Sequence, residues 1–157
     1  MLRLYISLRN APALVIAVLC ALLLSRLATG ASVTPPQPRA LAVYTHAQLN
    51  VESLSDDVLR SIFAMRLTVW PDGTRIQVFV LPDEHPLHRQ FSKSELGLFP
   101  YQLRQTWDQG VFSGTGEAPI QVDNVDEMRE RLATTPGAIG YLPEQRQPEG
   151  VKRAERP

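Results

Sequence analysis

Between residues 83 and 119 the chain gathers most of the side chains that could hold a ligand. Ser113-Gly114-Thr115-Gly116 combines two hydroxyls with two glycines, a composition that can turn successive amides inward around an anion. Glu117, Ala118 and Pro119 follow instead of a helix, so no helix dipole adds to such a cradle, and a purely structural loop is the competing reading. Arg89 carries a planar guanidinium that could grip an oxyanion with two hydrogen bonds, although an arginine in a helix equally suits a neighbouring carboxylate. Arg89, Ser113, Gly114 and Thr115 are therefore the candidate ligand-binding residues. His85 and His88, three apart, could share one helix face as metal ligands. With no third ligand in view, solvent-exposed histidines are the simpler expectation, and no metal site is assigned. Trp70 and Trp107 could line a cleft, but packing beside Pro71 or against a sheet explains both. No Ser, His and Asp at a recognisable spacing and no phosphate loop is present, so the sequence gives catalysis and cofactor binding no footing, and the chain is read as a non-enzyme.

The ends of the chain bear on where such residues would work. Arg3 and Arg9 precede an unbroken apolar run from Ala13 to Leu24, and the small residues Ala28 and Gly30 follow at signal-peptidase spacing. A bilayer span needs about 20 apolar residues, so the shorter run reads as a cleaved secretory peptide over residues 1–30, with a retained anchor as the alternative. The single cysteine, Cys20, lies inside that run, and the bulk of Leu19 before it speaks against lipid attachment. Residues 31–157 then form one domain's length without a cysteine, so no disulfide or thiolate metal site is available to them. The chain balances 16 basic against 16 acidic residues, and loss of Arg3, Arg9 and Arg26 leaves 13 basic and a mildly acidic domain. That balance has no electrostatic footprint for nucleic acid. The expected location is the periplasm.

The elements that must position these residues alternate between strand and helix. Residues 31–39 are a proline-rich, extended lead. Leu41 to Tyr44 is a first strand, and Ser53 or Ser55 caps a helix to about Phe63 through Leu54, Val58, Leu59, Ile62 and Phe63. Trp70-Pro71-Asp72-Gly73 is a turn, and Ile76 to Val80 is the clearest strand. Asp83 to Leu96 reads as a helix whose acidic start and Pro86 suit its free amides and partial positive charge. Pro100 opens a helix to about Asp108, ending before Gly110, and residues 111–119 form a glycine-punctuated loop. Asp123 or Asn124 caps a last helix carrying Val125, Met128 and Leu132. It stops at Pro136-Gly137, where a left-handed position excludes a Cβ, and Gly140 in the next strand marks a close approach by another backbone or a ligand. The tail 144–157 is polar, charged and expected to be disordered. The alternation argues for an α/β layer structure.

Several of these stretches, in order, resemble phosphate-type periplasmic substrate-binding proteins, and their short single-lobe relatives in particular. The residues concerned are Ile62-Phe63 with Trp70-Pro71-Asp72-Gly73 and Ile76; Arg89 and Phe91 with Leu96-Gly97; Trp107 with Val111 to Gly116 and Pro119; and Pro136 to Tyr141. The resemblance covers residues 40–143. It implies a single lobe of a type 2 periplasmic-binding-protein-like fold, a small mixed sheet flanked by helices. It also implies a small oxyanion as ligand and a transporter or sensor as partner. Two departures stand against the ligand. Ala64-Met65-Arg66 replaces the glycine and lysine usual after the phenylalanine. Pro82-Asp83-Glu84-His85-Pro86 replaces the serine-glycine-threonine run of the full-length binders, placing two carboxylates where an anion would sit. One lobe would bury a small anion only with a second copy, as a homodimer, or with a partner. The alternative is an envelope protein-interaction module of the same fold without the ligand.

Overall fold

A computed structural model describes residues 40–51, 53–144 and 148–155 of the 157-residue chain. The expected secretory peptide and the proline-rich lead lie outside the described residues. The elements in chain order are β1 (Leu41–His46), α1 (Asp56–Phe63), β2 (Gln77–Val80), α2 (Pro86–Ser94), α3 (Pro100–Ser113), β3 (Ile120–Gln121), α4 (Val125–Thr134), β4 (Ala138–Pro143) and β5 (Val151–Arg153). The strands form one mixed sheet in the order β3-β2-β4-β1-β5. β2 runs parallel to both β3 and β4, whereas β1 is antiparallel to β4 and to β5. Val78, Phe79 and Val80 are all buried, because both faces of the interior strand β2 are covered.

Local chemistry explains the helix ends. Ser55 caps α1 by accepting the Val58 amide, and Asn124 caps α4 by accepting those of Asp126 and Glu127 at 3.0 Å each. α2 begins at Pro86 rather than Asp83, because the His85 ring takes the cap position and its Nδ1 accepts the Leu87 amide at 3.1 Å. α3 runs past Gly110 to Ser113, longer than expected. Gly110 keeps helical geometry there, and the left-handed stop falls on Gly114, at φ 69°.

The segment Pro136 to Tyr141 behaves as its glycines require. Gly137 sits at φ 78°, and a Cβ on it would lie 2.1 Å from the Arg75 carbonyl oxygen. Gly140 is where α4 lies down on the sheet, since a Cβ there would come 2.7 Å from Met128 Sδ and 3.3 Å from Leu132 Cδ2. Both tryptophans are buried, and both indole N–H groups donate to backbone carbonyls. Trp70 bonds Gly137 at 3.0 Å and Trp107 bonds Phe63 at 2.7 Å, so each spends its polar edge on tying loops to the core.

The disordered tail is corrected for residues 148–155. Val151 to Arg153 form β5 against Tyr44 to His46, and the Leu54 amide bonds the Glu155 carbonyl at 2.9 Å. Val151 and Ala154 are buried, so two small apolar side chains and a backbone ladder hold a stretch whose other side chains are charged.

Candidate functional site

In open α/β sheets, ligands gather beyond the C-terminal ends of the parallel strands. Here those ends are Leu81 after β2, Gln121 closing β3 and the second half of β4. Four side chains from four different elements meet there. Tyr141 projects from β4, and its hydroxyl oxygen accepts the Leu81 amide at 2.9 Å. The same hydroxyl lies 2.5 Å from His88 Nδ1 on α2. Either group can donate in this contact, depending on the imidazole tautomer, and the second ring nitrogen is Nε2. That nitrogen faces Asp83 Oδ1 at 3.8 Å, beyond hydrogen-bond reach, and is a buried polar atom without a partner. Asp83 in turn is gripped by Arg104 from α3, Nε to Oδ2 at 3.1 Å and Nη2 to Oδ1 at 2.8 Å. Arg104 also reaches Gln121 at 3.4 Å and lies over the Trp107 ring, 5.0 Å from its centroid.

The electrostatics follow from burial. His88 is fully buried, contrary to the exposed histidine expected, and desolvation pushes its pKa down to about 4. The neighbouring Asp83 charge pulls the other way but loses to burial, with Arg104 and His85 adding to the depression. Burial likewise raises the Tyr141 phenol far above its ordinary value, so it remains a neutral donor. The hydrogen bond from Arg104 to Asp83 raises the guanidinium above its already high value.

Chemically, this end of the sheet is a carboxylate held by an arginine fork, with His88 Nε2 turned toward it. An incoming oxyanion would want those same groups, and the chain's own carboxylate already has them. His85 closes the first turn of α2 in the same way, with its ring on an amide that an anion would otherwise use.

The predicted ligand-binding residues are not brought together here. Arg89 lies on the exposed face of α2 and lines neither cleft described below. Ser113, Gly114 and Thr115 stand at the C-terminal end of α3, and that corrects the anion cradle. The amides of Gly114, Thr115 and Gly116 are all spent on the last carbonyls of the helix, those of Val111 and Gly110. Ser113 Oγ donates to the Gln109 carbonyl at 2.7 Å. A helix C-terminus carries partial negative charge, so the loop presents the wrong pole to an anion. It borders instead two adjoining open clefts of about 540 and 510 Å³ that share Met65, Thr115, Gly116 and Glu117. The larger is walled by Ile76 and Gln77 on one side and Pro119 and Ile120 on the other, at the N-terminal ends of β2 and β3. An Arg75–Glu117 ion pair crosses it. Met65 holds a left-handed φ of 57° at the shared lip, where a glycine would be unstrained. Among the described residues, no group of three His, Cys, Asp or Glu could hold a metal ion, and no helix is long and apolar enough to cross a membrane.

Sequence reasoning found Asp83 but not its partner. Arg104 lies 21 residues further on, and nothing local marks it apart from other arginines on helices.

No protein-family model matches the sequence, and no curated protein matches it. Solved structures do share the fold. One is an ABC-type phosphate transport receptor from Vibrio cholerae, 14% identical over 74% of this chain and 45% of that one, with a TM-score of 0.57. Another is a putative phosphate ABC transporter substrate-binding protein from Clostridium perfringens, solved with bound phosphate. It is 17% identical over 74% of this chain and 44% of that one, with a TM-score of 0.59. This chain thus spans less than half the length of either. The fold is that of the phosphate-type periplasmic substrate-binding proteins, present here as a small mixed sheet with its helices on the scale of a single lobe.

Proposed function

We propose that this chain is an exported, non-catalytic interaction module of the cell envelope, built on the substrate-binding fold with its anion end closed by its own side chains. The observation that carries this reading is the two-bond grip of Arg104 on Asp83, at the strand ends where the fold takes ligands. An internal carboxylate is present at a very high effective concentration, so a free oxyanion competes with it at a disadvantage. Calorimetric titration of the chain with phosphate and sulfate tests the claim. No heat at millimolar ligand is expected, whereas saturable binding would overturn it. Capture from an envelope extract should in addition recover one stoichiometric protein partner.

A second reading has its own support. The fold similarity to a chain solved with bound phosphate favours a small-oxyanion binder working with a transporter or sensor in the periplasm. On that reading a second copy or a partner supplies the other wall, and titration gives a saturable heat that grows when the partner is added.

A further inference from the structure

His88 is buried at the α2–sheet junction, where a second ring proton is poorly solvated. Tyr141 from β4 meets Nδ1 at 2.5 Å while its oxygen accepts the Leu81 amide, and Nε2 has no hydrogen-bond partner. Both side chains are completely buried. A ring protonated on both nitrogens donates twice, so the phenol must give up any hydrogen it lends to Nδ1. Phe63 and Phe91 pack beside the Tyr141 ring, at centroid distances of 6.1 and 4.0 Å, so a charge at this junction is poorly solvated. The other charged or titratable groups facing His88 are Asp83 from the β2–α2 turn, Arg104 from α3 and His85 at the head of α2 itself. Asp83 Oδ1 stands 3.8 Å from Nε2 and favours an imidazolium, but it is shared with Arg104, and burial outweighs its pull. The junction therefore favours a neutral ring over a charged one.

We propose that His88 is an acid-operated latch: a proton on its ring unseats α2 from the sheet and bares the apolar side of that helix, Leu87 and Phe91, while the β1–β4 ladder stays folded. α2 is suited to move separately. It is nine residues long, and it is followed by the irregular segment 95–99, which contains Gly97 at φ 68°. β1 and β4, by contrast, pair over five registered positions in the middle of the sheet. This latch does not depend on how the anion end is read.

Hydrogen exchange of the full chain, expressed as protection factors at pH 7.5 and pH 4.5, tests the latch. A ring at about 4 when docked and at its ordinary 6.5 when exposed shifts the opening equilibrium roughly 70-fold between those pH values. Amides of Arg89 to Ser94 should lose protection by about that factor, while those of β1 and β4 keep theirs. The ring resonances of His88, followed by NMR, should titrate near pH 4, with the protection of α2 falling progressively from about pH 6.5 toward that value. H88Q offers an amide oxygen to Tyr141 and cannot titrate, so its α2 should stay protected at pH 4.5. Should that variant fail to fold, the pH range of the α2 loss in the unaltered chain, bounded by about 6.5 and the ring's own midpoint, decides alone. Unchanged α2 protection, equal loss in β1 and β4, or a ring that titrates without any change in α2 would each overturn the proposal.

Discussion

Replacing Gly137 by alanine separates two costs that a glycine can hide. One is conformational: an L-residue held near φ 78° costs about 1–2 kcal/mol. The other is steric and belongs to this site. The new Cβ would lie 2.1 Å from the Arg75 carbonyl oxygen, a backbone atom that no rotamer change can clear. Moving it disturbs two bonds that end on Gly137, the Gln77 amide and the Trp70 indole N–H, each at 3.0 Å. Losing the indole's partner strands a buried donor for about 1–3 kcal/mol, and the amide bond adds about 1 kcal/mol. The total is about 4 kcal/mol, a large share of a marginal domain's stability. Gly73 is the internal control, with φ 88° and nothing within 4 Å of its would-be Cβ. Gly73→Ala should cost only the conformational part, about 1 kcal/mol. Urea unfolding followed by circular dichroism, with the slope unchanged, measures both. If the two variants fall within about 0.5 kcal/mol of each other, the packing argument for Gly137 is wrong.

Other predictions follow from single contacts. Gly140→Ala should cost about 1–3 kcal/mol, because Met128 Sδ stands 2.7 Å from the new atom, and Met128→Ala in the same chain should recover part of that loss, as read from a double-mutant cycle. Trp107→Phe should lose about 2 kcal/mol with its bond to the Phe63 carbonyl, checked by thermal unfolding. A cycle of Arg104→Met with Asp83→Asn should give a coupling of about 1 kcal/mol, modest because both side chains are partly exposed. Stability should also fall in acid. The folded state holds His88 neutral down to about pH 4, while the unfolded chain takes up that proton near 6.5. The contribution is thus complete above about pH 6.5 and is lost as pH falls toward 4, by about 3 kcal/mol at most. Chemical unfolding across that range in His88→Gln should lack this component.

What was legible in the sequence was whatever the backbone itself demands. Gly140 announced a close approach and Gly137 a left-handed position, but the helix already stops at Thr135, and Gly137 instead turns the chain into β4. The cap at Asn124 and the turn at Trp70 to Gly73 were legible for the same local reason. Long-range and small-scale features were not. β5 hides in a charged stretch, since a three-residue strand needs only Val151 buried and a ladder to Tyr44 to His46. α3 was cut short at Gly110 because a glycine inside a helix is read as a stop, yet about 1 kcal/mol of unfavourable propensity is easily outweighed by the packing of Leu103 and Trp107. Ser113 to Thr115 suggested an anion cradle by composition, and that error followed from the missed end of α3: once the helix reaches Ser113, the loop amides belong to its carbonyls. Spacing alone cannot tell which helix face meets β4, so nothing in the sequence marks His88 as buried. Arg104 shows no signal at all until the chain folds it against Asp83.

The central claim is that the anion end of this fold is already occupied from within. Nitrogen-15 NMR of the Arg104 Nε–H reports on it directly, since that proton sits in the bond to Asp83. The account predicts a resolved, slowly exchanging signal that stays in place as phosphate is raised to about a thousandfold excess over protein. A saturable shift of that signal with phosphate, at a midpoint below the millimolar range, would contradict it.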